Sequence, residues 1–394
     1  MVKRRVAIIF EAKLHRPDGV MRAVLSRAGH LQALAPYQID LHMIQGYDAG
    51  LNRWLHRTPR VPVRPEKAVV GGMPVTVHWF RHSLADTMRH RLLHRPPGTY
   101  LRWLDRLAQE RLSGYDLISA HDRIAGTAAA FAARRHHIPH FITWHGASIY
   151  TDPPRVPVYR RATTNLLEQA TGNFFVSRRL ELTARTTLTS RMTSQVLYNG
   201  ADEAFCCPPT HMLPALRRQW GLPAEGPVMA FVGRLEPVKN ISLLPAIFAT
   251  IARQVPQVTF VVAGTGSLQA RLSRELSRCH LDVRMQGFVP HDRLPGLLQC
   301  ADLLLLPSAK EGLPLVALEA LQCGTAVVAT RVGGIPELLP DAFTVPLTQD
   351  QWSQHLALRA AELLLSPEAP PPVPEAMSWA AAARLENEIY QQYL

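Results

Sequence analysis

Short, nearly continuous apolar runs alternate with amphipathic stretches along the whole chain. In the first half the runs at 6–10, 39–44, 75–80, 117–120, 140–144, 173–176 and 196–198 read as strands. Helical patterns such as 21–34 and 124–134 lie between them. The second half repeats the design more clearly, with runs at 228–232, 259–262, 283–286, 303–306 and 326–329. Runs rich in Val, Ile and Leu without a polar face mark strands covered on both sides. Strands alternating with helices predict a parallel, doubly wound α/β sheet, and here the pattern predicts two of them, as Rossmann-like domains facing a cleft. The expected domains are 1–197 and 198–376. Pro208, Pro209 and the turn-rich 221–227 fall near their junction. Residues 367–374 hold five prolines and read as a stiff connector. The last segment, 377–394, reads as a helix capped by Ser378 that packs back on the first domain.

Composition narrows the class. At 394 residues the chain is too long for one ordinary core and suits two domains of about 200 residues. No run approaches the ~18–20 apolar residues that span a bilayer. Lys3-Arg4-Arg5 before 6–10 imitates the start of a signal peptide, but the apolar run soon meets Glu11 and Lys13. A first buried strand is the expectation. The five cysteines form no Cys-x-x-Cys pair, which points to a reducing cytosol and no structural zinc.

The net charge of +12 is unevenly spread: residues 1–200 hold 29 Lys/Arg against 13 Asp/Glu, and residues 201–394 hold 14 against 18. A basic half implies an acidic partner, such as an anionic membrane surface, a phosphate-bearing acceptor or nucleic acid. The arginine- and histidine-rich segment 81–111 carries Leu92, Leu93, Tyr100, Leu101, Trp103, Leu104 and Leu107 at intervals. It reads either as a helix lying on an anionic bilayer or as a solvated basic helix. No nucleic-acid motif accompanies the charge, so nucleic acid is not expected as a partner.

The chemistry concentrates in four stretches of the second half. Lys310-Glu311-Gly312-Leu313-Pro314-Leu315-Val316-Ala317-Leu318-Glu319 follows the strand at 303–306. It reads as a tight loop and a helix N-terminus, with one carboxylate on the loop and another about a turn into the helix. The backbone of such a terminus, at Gly312, Leu313, Pro314 and Leu315, favours an anion. A phosphate would sit between the glutamates, with Glu311 facing one end of the ligand and Glu319 the other. Upstream, Gly233-Arg234-Leu235-Glu236-Pro237-Val238-Lys239 ends the strand at 228–232. Arg234 offers a bidentate fork to phosphate oxygens and Lys239 a point charge. Gly264-Thr265-Gly266 lets backbone approach a ligand closely. Phe288 and Val289, after the strand at 283–286, are read either as neighbours of a base or as core packing.

Taken in this order, the stretches resemble the motifs of the retaining GT-B glycosyltransferases with a Glu-x7-Glu pair, glycosyltransferase family 4. The resemblance covers about residues 228–340. It implies the GT-B fold and transfer of a sugar from a UDP- or GDP-sugar to an acceptor hydroxyl with retention, using no metal and no cofactor. Arg234 and Lys239 would neutralise the diphosphate, Glu319 would hold the ribose, and Glu311 would hold the sugar hydroxyls and favour positive charge at the anomeric carbon. Val332-Gly333-Gly334-Ile335-Pro336-Glu337 resembles the family's closing turn and is read as mostly structural, buttressing the donor loop.

In the first half, Trp144-His145-Gly146 matches the strand end whose histidine faces the donor sugar in relatives. His121 and Asp122 end another strand, within reach of the acceptor. Gly19 sits in the loop after the first strand, where relatives carry Gly-Gly; Asp18 replaces the first of the two. Asn199-Gly200-Ala201-Asp202 matches an interdomain turn. The implied acceptor is a lipid-linked or envelope glycan, met in the cytoplasm or on the inner membrane face. The other readings are a GT-B nucleotide-sugar epimerase and a sugar-nucleotide-binding protein without catalysis.

Overall fold

The computed structural model describes residues 3–14, 18–48, 63–83, 98–151 and 156–394. Pro17 and residues 84–97 of the arginine-rich segment lie outside them. The chain divides into two compact units, Met1–Asn199 with Ser378–Leu394, and Gly200–Met377.

The first unit holds one eight-stranded sheet. Its strands are β1 (Arg5–Glu11), β2 (Gln38–Asp48), β3 (Lys67–Val70), β4 (Met73–His82), β5 (Leu117–His121), β6 (His140–Trp144), β7 (Gly172–Phe175) and β8 (Ser194–Val196). They run in the order β3-β4-β2-β1-β5-β6-β7-β8, and the order reverses between β1 and β5. All pairings are parallel except β3 with β4. That hairpin turns on Gly71 and Gly72 at φ 55° and 79°. Two consecutive positive φ angles are what a two-residue type I′ turn demands, and Gly-Gly supplies them without steric cost.

Helix Gly19–Leu34 and the C-terminal helix Trp379–Tyr390 pack together over one face of this sheet. Asp18 starts helix Gly19–Leu34 and Ser177 starts helix Arg178–Thr187 in the same way. Each side chain accepts a hydrogen bond from the backbone N–H three residues on. Tyr390 packs on Phe141 at 5.0 Å between ring centroids, and Phe141 stacks on Phe174 at 5.5 Å. Each such buried aromatic contributes about 2–3 kcal/mol. Helix Asp122–His136 covers β1, β5 and β6. Its buried positions are Ala125, Gly126, Ala128, Ala129, Ala130 and Ala132, and small residues let it lie close: a Cβ on Gly126 would stand 3.0 Å from Ile142.

Helix Gly98–Arg111 buries Leu104, Leu107 and Ala108, and its Tyr100 and Trp103 rings pack on Phe80 at 4.4 and 5.3 Å. Much of its apolar side is therefore spent on the protein's own core. Among the described residues no helix is long and apolar enough to cross a membrane.

The second unit holds a six-stranded, wholly parallel sheet of β9 (Val228–Val232), β10 (Thr259–Ala263), β11 (Val283–Gly287), β12 (Leu303–Leu306), β13 (Ala326–Thr330) and β14 (Thr344–Val345). The order β11-β10-β9-β12-β13-β14 reverses between β9 and β12. Ligands of doubly wound sheets bind outside the carboxyl ends of the strands at such a reversal. The Arg234–Lys239 loop follows β9 and the Glu311 loop follows β12, so topology alone brings these two motifs together. Below them, Arg217 donates to the Cys300 and Gly226 carbonyls and to the Asp302 carboxylate, which also accepts from the Val228 N–H. That set pins the starts of β9 and β12.

Candidate functional site

In the second unit Lys239 Nζ donates to Glu311 Oε1, and Ser308 Oγ donates to the same oxygen at 2.6 Å. Ser308 is fully buried and Glu311 nearly so. Lys239 closes a short 3-10 turn, Pro237–Lys239, whose cap residue Asn240 is left-handed at φ 52°. Asn240 Nδ2 donates to the Pro307 carbonyl and the Ala309 N–H to the Val238 carbonyl, so the two loops are stapled to each other. Arg234 is exposed on the first loop, and among the described residues its side chain makes no hydrogen bond or ion pair. An unspent guanidinium on the same loop as an ammonium is suited to an anion of more than one charge.

The glycines in this region serve the protein first. A Cβ on Gly264 would stand 1.8 Å from the Gly233 carbonyl oxygen, one on Gly266 2.2 Å from that of Leu235, and one on Gly333 1.7 Å from that of Glu311. The Gly264–Gly266 turn therefore lets the β10 loop lie against the β9 loop, where Glu236 accepts from the Ser267 N–H at 2.9 Å and from its hydroxyl. Gly333 does the same for the loop after β13, and the Gly334 N–H donates to the Gly312 carbonyl at 2.8 Å.

Helix Leu315–Gln322 begins directly after Pro314, with Leu313, Pro314 and Leu315 buried. Their side chains belong to the core, which leaves backbone as what this turn offers a ligand. Glu319 lies four residues into the helix with 3% of its side chain accessible, and its Oε1 is 3.1 Å from His291 Nε2. His291 follows β11 on the turn that carries Phe288 and Val289. Phe288 is 51% exposed, which sets aside core packing for that ring.

The first unit gathers its groups at the ends of β1, β5 and β6. His121 Nδ1 lies 2.9 Å from His145 Nε2, with the rings stacked at 5.2 Å. Asp122 is left-handed at φ 63°, an uncommon conformation for a residue with a side chain. Its carboxylate accepts from the His145 backbone N–H at 3.3 Å. Burial first, and the Arg27 charge second, lower His145 to about 3 and hold His121 well below the usual imidazole value. Both rings are neutral at pH 7. Glu11, at the accessible but recessed end of β1, is raised to about 7 by desolvation, which outweighs the opposing Arg123 charge; Asp122 and Asp18 add to the rise. Gly19 opens the helix after this strand, capped by Asp18.

Arg27 is buried and lies behind the histidine pair. Its Nη2 is 2.9 Å from Glu386 Oε1 and its Nε donates to Glu386 Oε2 at 3.2 Å. Its Nη1 donates to Thr143 Oγ1 at 3.2 Å, two residues before His145, and Tyr390 donates to Glu386 at 2.5 Å. Glu11, Arg27, Glu386 and His291 stand in none of the sequence motifs. Arg27 and Glu386 do leave a signal: each sits inside the apolar stripe of its helix, between Val24 and Leu31 and between Ala383 and Tyr390.

A cavity of about 730 Å³ opens at the opposite ends of the second sheet, lined by Cys207, Arg217, Asp302 and Thr325, and none of the motif residues lines it. Among the described residues no group of three or more His, Cys, Asp or Glu side chains is placed to hold a metal ion.

Two doubly wound units with these loops at the strand reversals define a GT-B fold. Residues 19–205 match the family description "Glycosyltransferase Family 4" and residues 214–385 match "Glycosyl transferases group 1". The chain belongs to glycosyltransferase family 4. It is similar to the D-inositol 3-phosphate glycosyltransferase of Mycolicibacterium paratuberculosis, at 40% identity over 179 residues. That match covers 43% of this chain and 38% of the relative, so it spans less than half of the relative's length. The putative teichuronic acid biosynthesis glycosyltransferase TuaC of Bacillus subtilis is 29% identical over 316 residues, 78% of this chain and 76% of that one. In three dimensions the chain is similar to Anabaena HepE, solved in complex with UDP-glucose. The TM-score is 0.67 at 19% identity, over 98% of this chain and 99% of that one.

Proposed function

We propose that this protein transfers a sugar from a nucleoside-diphosphate donor to an acceptor hydroxyl with retention of configuration. The observation that carries the reading is the convergence of Lys239, Ser308 and Glu311 at the β9/β12 reversal, with Arg234 on the same loop as Lys239 and Glu319 on the helix that follows. Arg234, Lys239 and the N-terminal backbone of helix Leu315–Gln322 neutralise the diphosphate, the role a divalent cation plays in other transferases. On this reading the site needs no metal. The pairing of Lys239 with Glu311 gives way when phosphate oxygens compete for the ammonium, which frees Glu311 for the sugar hydroxyls. Glu319 accepts from the ribose.

The bond from the anomeric carbon to the diphosphate oxygen breaks as the acceptor oxygen bonds to the same face. The acceptor proton passes to the departing phosphate oxygen, so no side chain is assigned as general base. His145 is neutral and suited to hydrogen bonding with a sugar hydroxyl. The acceptor class we favour is an anionic one, such as a lipid-linked or envelope glycan, on the strength of the basic first half; the two relatives' names carry an inositol phosphate and teichuronic acid biosynthesis.

Thermal stabilisation across UDP-, GDP-, ADP- and dTDP-sugars, with and without EDTA, tests the donor assignment. A shift with one base that survives EDTA and is lost in Glu319→Ala is the expected result. No shift with any donor would sink it.

A further inference from the structure

We propose that His291 positions the Glu319 carboxylate for a vicinal ribose diol, so that the site selects ribonucleoside over 2′-deoxyribonucleoside diphosphates. The inference rests on the reading of Glu319 as the ribose ligand and adds the group that aims it.

Glu319 emerges from an apolar helix whose Leu315, Ala317, Leu318, Ala320 and Leu321 are buried. A carboxylate so enclosed needs a donor, and a charge-assisted bond also fixes its rotamer. His291 Nε2 provides that donor at 3.1 Å. Since a carboxylate accepts only, the nitrogen facing it carries the proton. The imidazole is itself held from behind. Its ring packs on Phe205 at 5.2 Å, and Nδ1 lies 4.0 Å from Asp202 Oδ2. Both of those residues follow the junction at Asn199 and Gly200, where the chain enters the second unit.

The same short turn after β11 carries exposed Phe288 and then His291. A nucleoside on Phe288 is thereby offered a carboxylate whose orientation is set by the same loop. One Glu319 oxygen is engaged by His291, and the carboxylate plane is fixed for two neighbouring hydroxyls. With only one hydroxyl present, part of a desolvated anion is left unmatched, and sites built to hydrogen-bond a hydroxyl discriminate strongly against its absence. Without His291 the carboxylate is free to turn, and the matched geometry is lost.

The test is isothermal titration of the full chain with UDP, 2′-deoxy-UDP, GDP and 2′-deoxy-GDP, in wild type, His291→Ala, His291→Gln and Glu319→Gln. A hydrogen bond to a charged group predicts that wild type prefers the ribonucleotide by roughly ten- to a hundredfold. His291→Ala should lose most of that preference by weakening the ribonucleotide alone. His291→Gln, whose amide nitrogen donates from nearly the same place, should keep most of it. Equal weakening of both nucleotides in His291→Ala would overturn the proposal and leave His291 as packing for the base. Discrimination that disappears in Glu319→Gln but survives in His291→Ala would overturn it while leaving the ribose reading intact. A wild type that fails to discriminate, with Glu319→Gln no different, would mean that the ribose reading itself has failed.

Discussion

The two units place their polar groups on the same kind of scaffold and handle charge in opposite ways. In the second unit the groups near the β9/β12 reversal are charged: Lys239 pairs with Glu311 as partners that a ligand can replace, and His291, from the turn after β11, holds Glu319. In the first unit the two histidines at the ends of β5 and β6 are neutral, and a buried ion pair, Arg27 with Glu386, lies behind them. On the proposed function, the difference follows from what each would meet. A diphosphate brings fixed negative charge and calls for cations at the surface. Sugar hydroxyls bring none and are met by neutral donors and acceptors, whose aim depends on packing.

The contrast can be broken first at the sealed pair. Glu386→Gln leaves the Arg27 charge buried with no counter-charge, and losses of this kind cost about 3–5 kcal/mol. Hydrogen exchange should show faster opening of β5, β6 and helix Gly19–Leu34, with β9 and β12 unchanged. Replacing both partners together, as Arg27→Met with Glu386→Leu, should recover most of that stability. Uniform opening of both sheets would show that the pair has no local role. The matching change in the second unit is Lys239→Ala. Removing one preorganised group for developing charge costs about 10²–10³ in turnover, with the fold retained because Ser308 still holds Glu311. Normal turnover with a UDP- or GDP-sugar would remove Lys239 from the phosphate assignment.

Acid should separate the units as well. Burial holds His42 at about 4, His78 at about 3 and His140 at about 4, against 6.5 for an exposed imidazole. All three belong to the first unit. Each stays neutral in the fold but takes up a proton on unfolding once the pH is below about 6.5. The unfolded state then binds more protons, so stability falls as pH falls from about 6.5 towards 3–4. The slope is about 1.4 kcal/mol per pH unit for each imidazole. Exchange protection of β2, β4 and β6 should decline between about pH 7 and about pH 5 more steeply than that of β10 and β12. Parallel decline in both sheets would contradict the assignment.

This asymmetry also explains what can be read from residues alone. The strands of the second unit and its motif loops are legible because each loop's chemistry is contiguous: Arg234 to Lys239 and Glu311 to Glu319 are short segments after obvious apolar runs. The sheet order then brings them together without further information. The β3–β4 hairpin goes unread although Gly71-Gly72 announces it, because residues 67–70 alternate too weakly to read as a strand. His291 is illegible since its partner is 28 residues away and nothing local marks the contact. Arg27 and Glu386 lie 359 residues apart. Each can be noticed as a charge inside an apolar stripe, and only the return of the C-terminal helix to the first unit explains why both are tolerated.

The smallest expected effect is the most discriminating for the first unit. Asp122 occupies a left-handed conformation that costs a residue with a Cβ about 1 kcal/mol or more and costs glycine little. If the position were only a turn between β5 and its helix, Asp122→Gly would relieve that cost at no loss elsewhere. The carboxylate, however, accepts from the His145 N–H and raises Glu11. Asp122→Gly should therefore leave thermal stability within about 1 kcal/mol of wild type, in either direction. Its transfer rate should fall as the His145 backbone loses its acceptor, and the Glu11 carboxyl, followed by NMR, should titrate at lower pH as it loses a negative neighbour. A variant that is more stable and equally active, with an unchanged Glu11 titration, would reduce Asp122 to a turn residue. The left-handed backbone would then be an accident of the strand end, with no part in holding the histidine.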